Sequence, residues 1–518
     1  MGKRFIAAVL AGAALLGLAG CAGNEAPPDT LRVGVTNFAD SLEPTDNYFA
    51  WVVMRYGIGE SLARFDEQMR PQPCVADSWK VSDDKLTWTF HIRDGIRFSN
   101  GNPVTGEAAK SSIERVFEKS DRAKTFFTYT SMEADGQNLI IHTAKPVPGL
   151  PGMLADPLFL IIDTSVTDRD YRREGPIATG PYMVKSFSRA HASLEANPYY
   201  WGGTVPFKHL EIPSVDDPNT RAMTLRSGET DVIVNVSPGD LAVFRGLDGY
   251  TISEMASLRS VLARLNVAEG HPMQDKRVRE ALISACDRRT YADVLMKGTF
   301  IPGGPAVPPS VDCGFDQLKD PNTYDEERAN RLLDEAGWKD TDGDGIRDKD
   351  GKPLEMDFVY YSSRPELPLF AEATQADAQK VGIRINLQSV DYNVLDGMAK
   401  RGEYDLIISN ILTANTGDPE IYLNWYWKSN VNGSNPQNGS GYSNPEYDAL
   451  SDELAVEFDP EKRKELMIRM QQILLDDGAT LIFGYPKTNM VYRNRIAGAK
   501  ILPADYYWVT GDIRPADR

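Results

Sequence analysis

The chain has 518 residues, of which 42% are hydrophobic and 25% charged, and its formal net charge is -18. The length exceeds what one core usually supports, so two or three lobes are expected. The acidic balance excludes a broad basic footprint for nucleic acid, and the composition is that of an ordinary globular protein.

The first element is a targeting segment. Lys3 and Arg4 form a basic region, Phe5 to Gly17 carries no charge, and Leu18-Ala19-Gly20-Cys21 follows. This is the pattern of a secretory signal with a lipoprotein cleavage site, residues 1–20 being the signal peptide and Cys21 the acylated first residue. The alternative is a signal peptide cut elsewhere, with Cys21 incidental. The apolar run is short for a membrane span, and no later segment approaches about eighteen apolar residues. Residues 21–30, with Pro27-Pro28, read as a flexible tether. The expected location is extracytoplasmic, lipid-anchored to the cell membrane in a periplasm or on the outer face of a plasma membrane.

Leu31 to Val35 alternates and begins the fold as a strand. Leu86 to Ile92 alternates in period two behind Asp83-Asp84, which predicts a half-buried antiparallel hairpin. Thr105 is a plausible N-cap for a helix with Ala109, Ile113, Val116 and Phe117 on one face. Thr179-Gly180-Pro181 breaks its segment and suits a crossing between lobes. Thr323-x-x-Glu326 reads as a capping box ahead of Ala329, Leu332, Leu333 and Ala336, closed by Gly337. Strands at Met356–Tyr360, Ile383–Leu387 and Tyr404–Ser409 alternate with a helix at Ala371–Val381, the pattern of an α/β lobe. Tyr447 to Leu475 is rich in helix formers and broken at Asp459-Pro460.

Few groups suggest chemistry. Besides Cys21, Cys74, Cys286 and Cys313 are far apart, so one disulfide or none forms and at least one thiol stays free. His91, His142, His191, His209 and His271 are scattered, and no zinc, phosphate-loop, nucleophile-elbow or dinucleotide motif is present. Asp340-Thr341-Asp342-Gly343-Asp344-Gly345 resembles the start of a calcium loop, with Asp340, Asp342 and Asp344 as weak ligand candidates. Gly351 stands where a calcium loop needs its last acid, so a plain turn is the favoured reading. No cofactor is expected.

Several segments together resemble the bacterial extracytoplasmic solute-binding proteins of family 5, the peptide/nickel-binding class that serves ABC importers. They are Ala76 to Trp79 with Leu86 to Thr105, Ala178 to Tyr182, Asn197 to Gly202, Arg221 to Asp231 and Leu265 to Asp287. The resemblance implies an α/β, bilobal, periplasmic-binding-protein-like fold of class II, from the large cluster that carries an extra domain. Mixed sheets are flanked by helices, and two crossing strands form the hinge. Mapped here, lobe I takes 31–65, 175–275 and 489–518, the extra domain 66–174 and lobe II 276–488. Trp79, Trp88 and Trp201 in these motifs read as core.

The resemblance also implies a function and a site. The function is capture of a short peptide or a small nickel-type metal chelate in an interlobe cleft, with delivery to a permease and ATPase complex and no catalysis. An exported hydrolase, or a surface sensor or adhesion protein on the same fold, is the alternative. A monomer tethered to the membrane by its lipid, without nucleic acid, is expected. Peptide-binding relatives carry an acidic residue at the position of Asn415 to hold the peptide amine. Asp418, in the same loop, either holds a cation or serves an Asp-Pro turn. Arg122 falls where nickel-chelate binders place a carboxylate-gripping arginine, and the alternative is a solvated surface arginine. Tyr422, Trp425, Tyr507 and Trp508 belong to aromatic clusters of which one or two members touch ligand, and Tyr48 and Trp51 are similar candidates.

Overall fold

The computed structural model describes residues 28–36 and 39–517. The signal segment, Cys21 and all but the last residues of the tether lie outside them. No helix among the described residues is long and apolar enough to cross a membrane.

A mixed twelve-stranded sheet runs through the molecule. Its central member is the 14-residue strand Thr480–Arg493. The first part of this strand pairs with Arg259–Leu265 and Phe300–Pro302, and the second part with Val232–Val234 and Tyr250–Ala256. On one side the sheet continues through Thr30–Gly34, His209–Pro213, His191–Ala196 and Tyr182–Phe187; this is the first lobe. On the other it continues through Leu406–Leu412, Glu355–Tyr360 and Arg384–Ser389; this is the second lobe. The chain therefore crosses between lobes where Tyr250–Ala256 gives way to Arg259–Leu265 and again within Thr480–Arg493.

In the second lobe Glu355–Tyr360 lies parallel to both neighbours, Arg384–Ser389 and Leu406–Leu412. Parallel pairing needs crossover helices, which Glu366–Lys380 and Tyr392–Arg401 supply. Ile407, Phe358, Leu333 and Phe483 are wholly buried in this lobe's core. The strand expected at Tyr404–Ser409 lies two residues on, and the helix expected at Ala371–Val381 begins earlier, at Glu366.

A four-stranded antiparallel sheet, Ala76–Val81, Thr87–Ile92, Asn138–His142 and Ser131–Asp135, forms a satellite unit. Trp88, Phe90 and Ile92 point inward against the helix Gly106–Lys119, whose N-cap Thr105 accepts from the Ala108 N–H at 3.2 Å. The turn Thr179-Gly180-Pro181 does not cross between the two lobes. It returns the satellite unit to the first lobe, the Gly180 N–H donating to Ile58 O at 3.1 Å and the Tyr182 N–H to Gly57 O at 3.0 Å. A Cβ on Gly180 would collide with the backbone of Gly57 and Ile58, so this seam requires glycine.

The proposed capping box is also corrected. Asp325, not Thr323, caps the helix Glu326–Glu335, accepting from the Arg328 N–H at 2.8 Å. Cys74, Cys286 and Cys313 are all free and buried. Of the tryptophans read as core, Trp88 is buried, while Trp79 and Trp201 pack half-buried against the core.

Candidate functional site

A cavity of about 820 Å³ lies between the lobes and the satellite unit. From the first lobe, the turn before the helix Ala50–Arg55 brings Tyr48, and the helix itself brings Trp51 and Arg55. The satellite unit adds Arg122 from the short turn Asp121–Thr125, and Asp156, which caps the turn Pro157–Phe159. Arg259 stands at the start of the strand that leaves the crossing. The second lobe contributes Tyr361, Arg364, Thr413 and Asn415, which follow the parallel strands Glu355–Tyr360 and Leu406–Leu412. Loops at the carboxyl ends of parallel strands are where such lobes gather ligand. Ile421, Tyr422, Trp425 and Tyr426 complete the wall from the helix Glu420–Trp427.

The lining is cationic although the whole chain is acidic. Arg55, Arg122, Arg259 and Arg364 face the cavity, and Asp156 is the only carboxylate among its described lining residues. Arg55 is engaged by Asp505 at 2.6 Å and lies over the Trp508 ring at 4.3 Å. Burial, and then the charge of Arg364, hold the Arg259 guanidinium below the ordinary arginine range. Arg122 lies over the Tyr48 ring at 4.4 Å. Its Nε and Nη2 are shut off from solvent without a hydrogen-bond partner. A half-buried guanidinium with two shielded, unmet donors is an attractor for a carboxylate, which its planar fork can grip at two points.

Asp156 is 1% exposed. Burial raises its carboxyl above the ordinary aspartate range, opposed by Arg122, the Leu158 N–H and the Asn415 side-chain amide. The Leu158 N–H donates to Asp156 Oδ1 at 2.9 Å, and Arg122 stands 3.8 Å away.

A second chamber of about 420 Å³ adjoins the first and shares Trp51, Arg55, Arg259 and Arg364 with it. It is closed by the crossing segments Ser257–Arg259 and Pro486–Thr488 and by the loop that carries Asp505 and Tyr506.

Of the residues singled out from sequence, Tyr48, Trp51, Arg122, Asn415, Tyr422 and Trp425 meet in the main chamber. Tyr48 and Trp425 are the most open, at 53% and 44% exposure, whereas Tyr422 is buried and donates to Ala306 O at 3.0 Å. Three candidates lie elsewhere. Asp418 is bound by Arg463 at 2.7 Å and faces a smaller recess with Thr416 and Glu420. Tyr507 accepts from the Phe65 N–H at 3.0 Å, and Trp508 is buried beneath Arg55. The acidic loop closes on itself: Asp340 accepts from the Gly343 and Gly345 N–H groups at 2.7 and 3.1 Å, and Asp344 turns to Arg384 at 3.2 Å. Asp348 stands with Asp340 and Asp342 in place of Asp344.

Arg259, Arg364, Tyr361 and Tyr392 were not singled out from sequence. One signal was available: Arg259 and Arg264 interrupt the largely apolar strand RSVLARL, and a charge in a buried strand requires a partner or a ligand.

Comparison with known proteins agrees with this architecture. The sequence model described as bacterial extracellular solute-binding proteins, family 5 Middle, matches residues 70–434. The chain is similar to nickel-binding protein NikA of Staphylococcus aureus, 27% identical over 500 residues, covering 96% of each chain. It is also similar to the probable D,D-dipeptide-binding periplasmic protein DdpA of Escherichia coli, 26% identical over 415 residues, covering 78% of this chain and 77% of DdpA. The crystal structure of a nickel ABC transporter from Bacillus halodurans superposes with a TM-score of 0.83 at 25% identity, covering 94% of this chain and 99% of that one. With a family match over most of its length and the same two-lobed architecture, the chain belongs to the bacterial extracellular solute-binding proteins of family 5.

Proposed function

We propose that this chain is the extracytoplasmic receptor of an ABC importer, which binds a small carboxylate-bearing solute, such as a nickel-type metal chelate, and hands it to the permease without chemical change. The observation that carries the solute class is the lining of the cleft, where Arg122, Arg259 and Arg364 face a space in which the only carboxylate among the described lining residues, Asp156, already accepts the Leu158 N–H. Arg122, Arg259 and Arg364 are the proposed anion contacts, and Tyr48, Trp51 and Trp425 the flat walls against which the solute packs. Neighbours described as nickel-binding support the chelate reading. Lipidation at Cys21 would hold the receptor near its permease and raise the local concentration. The lobes are proposed to follow the division 31–65, 175–275 and 489–518 against 276–488, with 66–174 as the extra domain, in a monomer.

A short peptide is the second reading. It is favoured by the adjoining chamber, which gives the cleft room beyond one compact ligand, and by relatives described as di/tripeptide-binding. Native mass spectrometry and elemental analysis of freshly purified protein separate the two. A carried metal or polycarboxylate supports the first, and metal-free protein loaded with peptide removes it. Thermal melts with nickel(II)–L-histidine and with di- and tripeptides test the receptor reading itself, because a ligand that binds only the folded state raises the melting temperature with concentration. No shift with any of them would overturn it.

A further inference from the structure

The satellite unit is joined by chain to the first lobe, and the second lobe is reached only through the crossing segments. The satellite unit and the second lobe nevertheless touch at two places. Beside the main chamber, Gly152 of the short helix Leu150–Met153 meets the second lobe so closely that a Cβ on it would collide with the Thr416 carbonyl oxygen. Away from the chamber, Phe458 reaches the satellite sheet from the turn between the helices Pro445–Leu454 and Pro460–Asp476. Its ring stacks on Trp88 with centroids 6.0 Å apart and planes inclined by 29°, and the Lys85 ammonium lies over it at 5.2 Å. Among the described residues, Phe458 is the only hydrophobic side chain of the second lobe packed against the satellite core. One guanidinium ties the two contacts together. Arg463 donates to Leu454 O at 2.6 Å and Glu457 O at 2.9 Å beside Phe458, and to Asp418 at 2.7 Å, two residues beyond Thr416.

We propose that Phe458 is a latch, which holds the second lobe against the satellite unit from a point outside the cleft and so sets how much of the protein is closed before any solute arrives. Phe458, Trp88 and Lys85 line neither chamber. The contact is made by side chains alone, so a rotation about the crossing segments can part it. Parting the rings returns apolar surface of Phe458 and of the buried Trp88 to water, which is unfavourable. The aromatic stack and the cation over it therefore favour the closed arrangement whether or not the cleft is filled. An apparent dissociation constant is the intrinsic one divided by the competent fraction, so a latch of this kind tightens every solute by the same factor. Arg463 makes the Phe458 turn and the loop beside the chamber one rigid edge, so both contacts form in a single movement. Phe458 is a positioning residue, acting through the lobes and touching no solute. The latch belongs to the empty protein, and only its effect on affinity rests on the receptor reading above.

The test compares wild type with Phe458→Ala and Lys85→Asn. Solution X-ray scattering of the ligand-free protein reads the separation of the lobes, and Phe458→Ala is expected to enlarge the radius of gyration while the variant still melts in a cooperative transition. Isothermal titration with nickel(II)–L-histidine and with L-alanyl-L-alanine reads the effect on binding. Phe458→Ala is expected to weaken each probe that binds wild type by the same factor, about tenfold, the scale of one aromatic contact with its buried area. Lys85→Asn removes the cation and leaves both rings, and asparagine suits the left-handed backbone there, where φ is 62°. It is expected to act in the same direction by about threefold, and it decides the matter if Phe458→Ala does not fold. An unchanged radius of gyration in the folded variants overturns the latch, and so does an affinity loss confined to one of two probes that bind. If neither probe binds wild type, the receptor reading fails for these solutes, and the scattering alone decides the latch.

Discussion

The Arg122 guanidinium stands 3.8 Å from the Asp156 carboxylate and 4.4 Å above the Tyr48 ring, held in place while two of its nitrogens find no hydrogen-bond partner. Donors shielded from solvent and left unmet are costly unless something fills them. Arg122→Ala is therefore expected to weaken binding of a carboxylate-bearing solute by about tenfold to a hundredfold, or roughly 1.5–3 kcal/mol, in isothermal titration. Unchanged affinity would take Arg122 out of the site.

Trp425 presents an exposed ring to the main chamber from the helix Glu420–Trp427. Its ring offers flat contact area at little entropic cost. Trp425→Ala is expected to reduce solute affinity about threefold to tenfold, from a ring contact of ~0.5–1.5 kcal/mol, and to remove most of the ligand-induced change in tryptophan fluorescence. A variant that binds and responds as wild type does would show that the ring only flanks the site.

Arg463 is almost buried and neutralises both Asp418, at 2.7 Å, and Glu420, at 2.8 Å. Burial, followed by repulsion from Asp418, already lifts the Glu420 carboxyl above its ordinary range. Arg463→Met leaves two carboxylates without their cation, and is expected to cost about 3–5 kcal/mol in urea unfolding at neutral pH. The loss should shrink in acid, where both carboxylates are protonated. A loss that is the same in acid and at neutral pH would argue against the charge account.

Glu60 accepts from the Thr179 hydroxyl at 2.9 Å and the Trp201 Nε1–H at 2.7 Å where the satellite unit joins the first lobe. Burial raises its pKa to about 7, against the lowering effect of those two hydrogen bonds and of Arg64 and Arg93. A carboxyl raised in the folded state stabilises the fold fully below its unfolded value of 4.5, and that contribution is lost as pH rises through about 7. Glu60→Gln keeps an acceptor for both donors. The variant should gain on wild type from acid to about pH 8, by on the order of 3 kcal/mol at the top of the range. Parallel melting curves across that range would sink the assignment.

What could be read from the sequence divides along physical lines. Thr87–Ile92 and Gly106–Lys119 were legible because their apolar periods match the faces they bury, and Thr105 because an N-cap is a local event. The capping box at Thr323 failed because Asp325 is extended, at φ -163°, so the helix starts two residues after the box requires. Asn415 and Arg122 were singled out through the family resemblance and Tyr48 as an aromatic of the N-terminal lobe, and the structure brings the three to one chamber. Arg259 and Arg364 were missed because only the fold brings them together: one begins a strand at the crossing, the other follows a parallel strand about a hundred residues later. Asp418, Tyr507 and Trp508 have the right residue types near the right loops. Only the structure shows that Arg463, the Phe65 amide and Arg55 already occupy them.

The strand Thr480–Arg493 belongs to both lobes at once, its first residues pairing with Arg259–Leu265 and its last with Tyr250–Ala256. Neither lobe can lose its own sheet without stripping an edge from the other. Thermal denaturation should therefore be a single cooperative event in spite of the chain's size, because the two lobes share one ribbon and cannot melt independently.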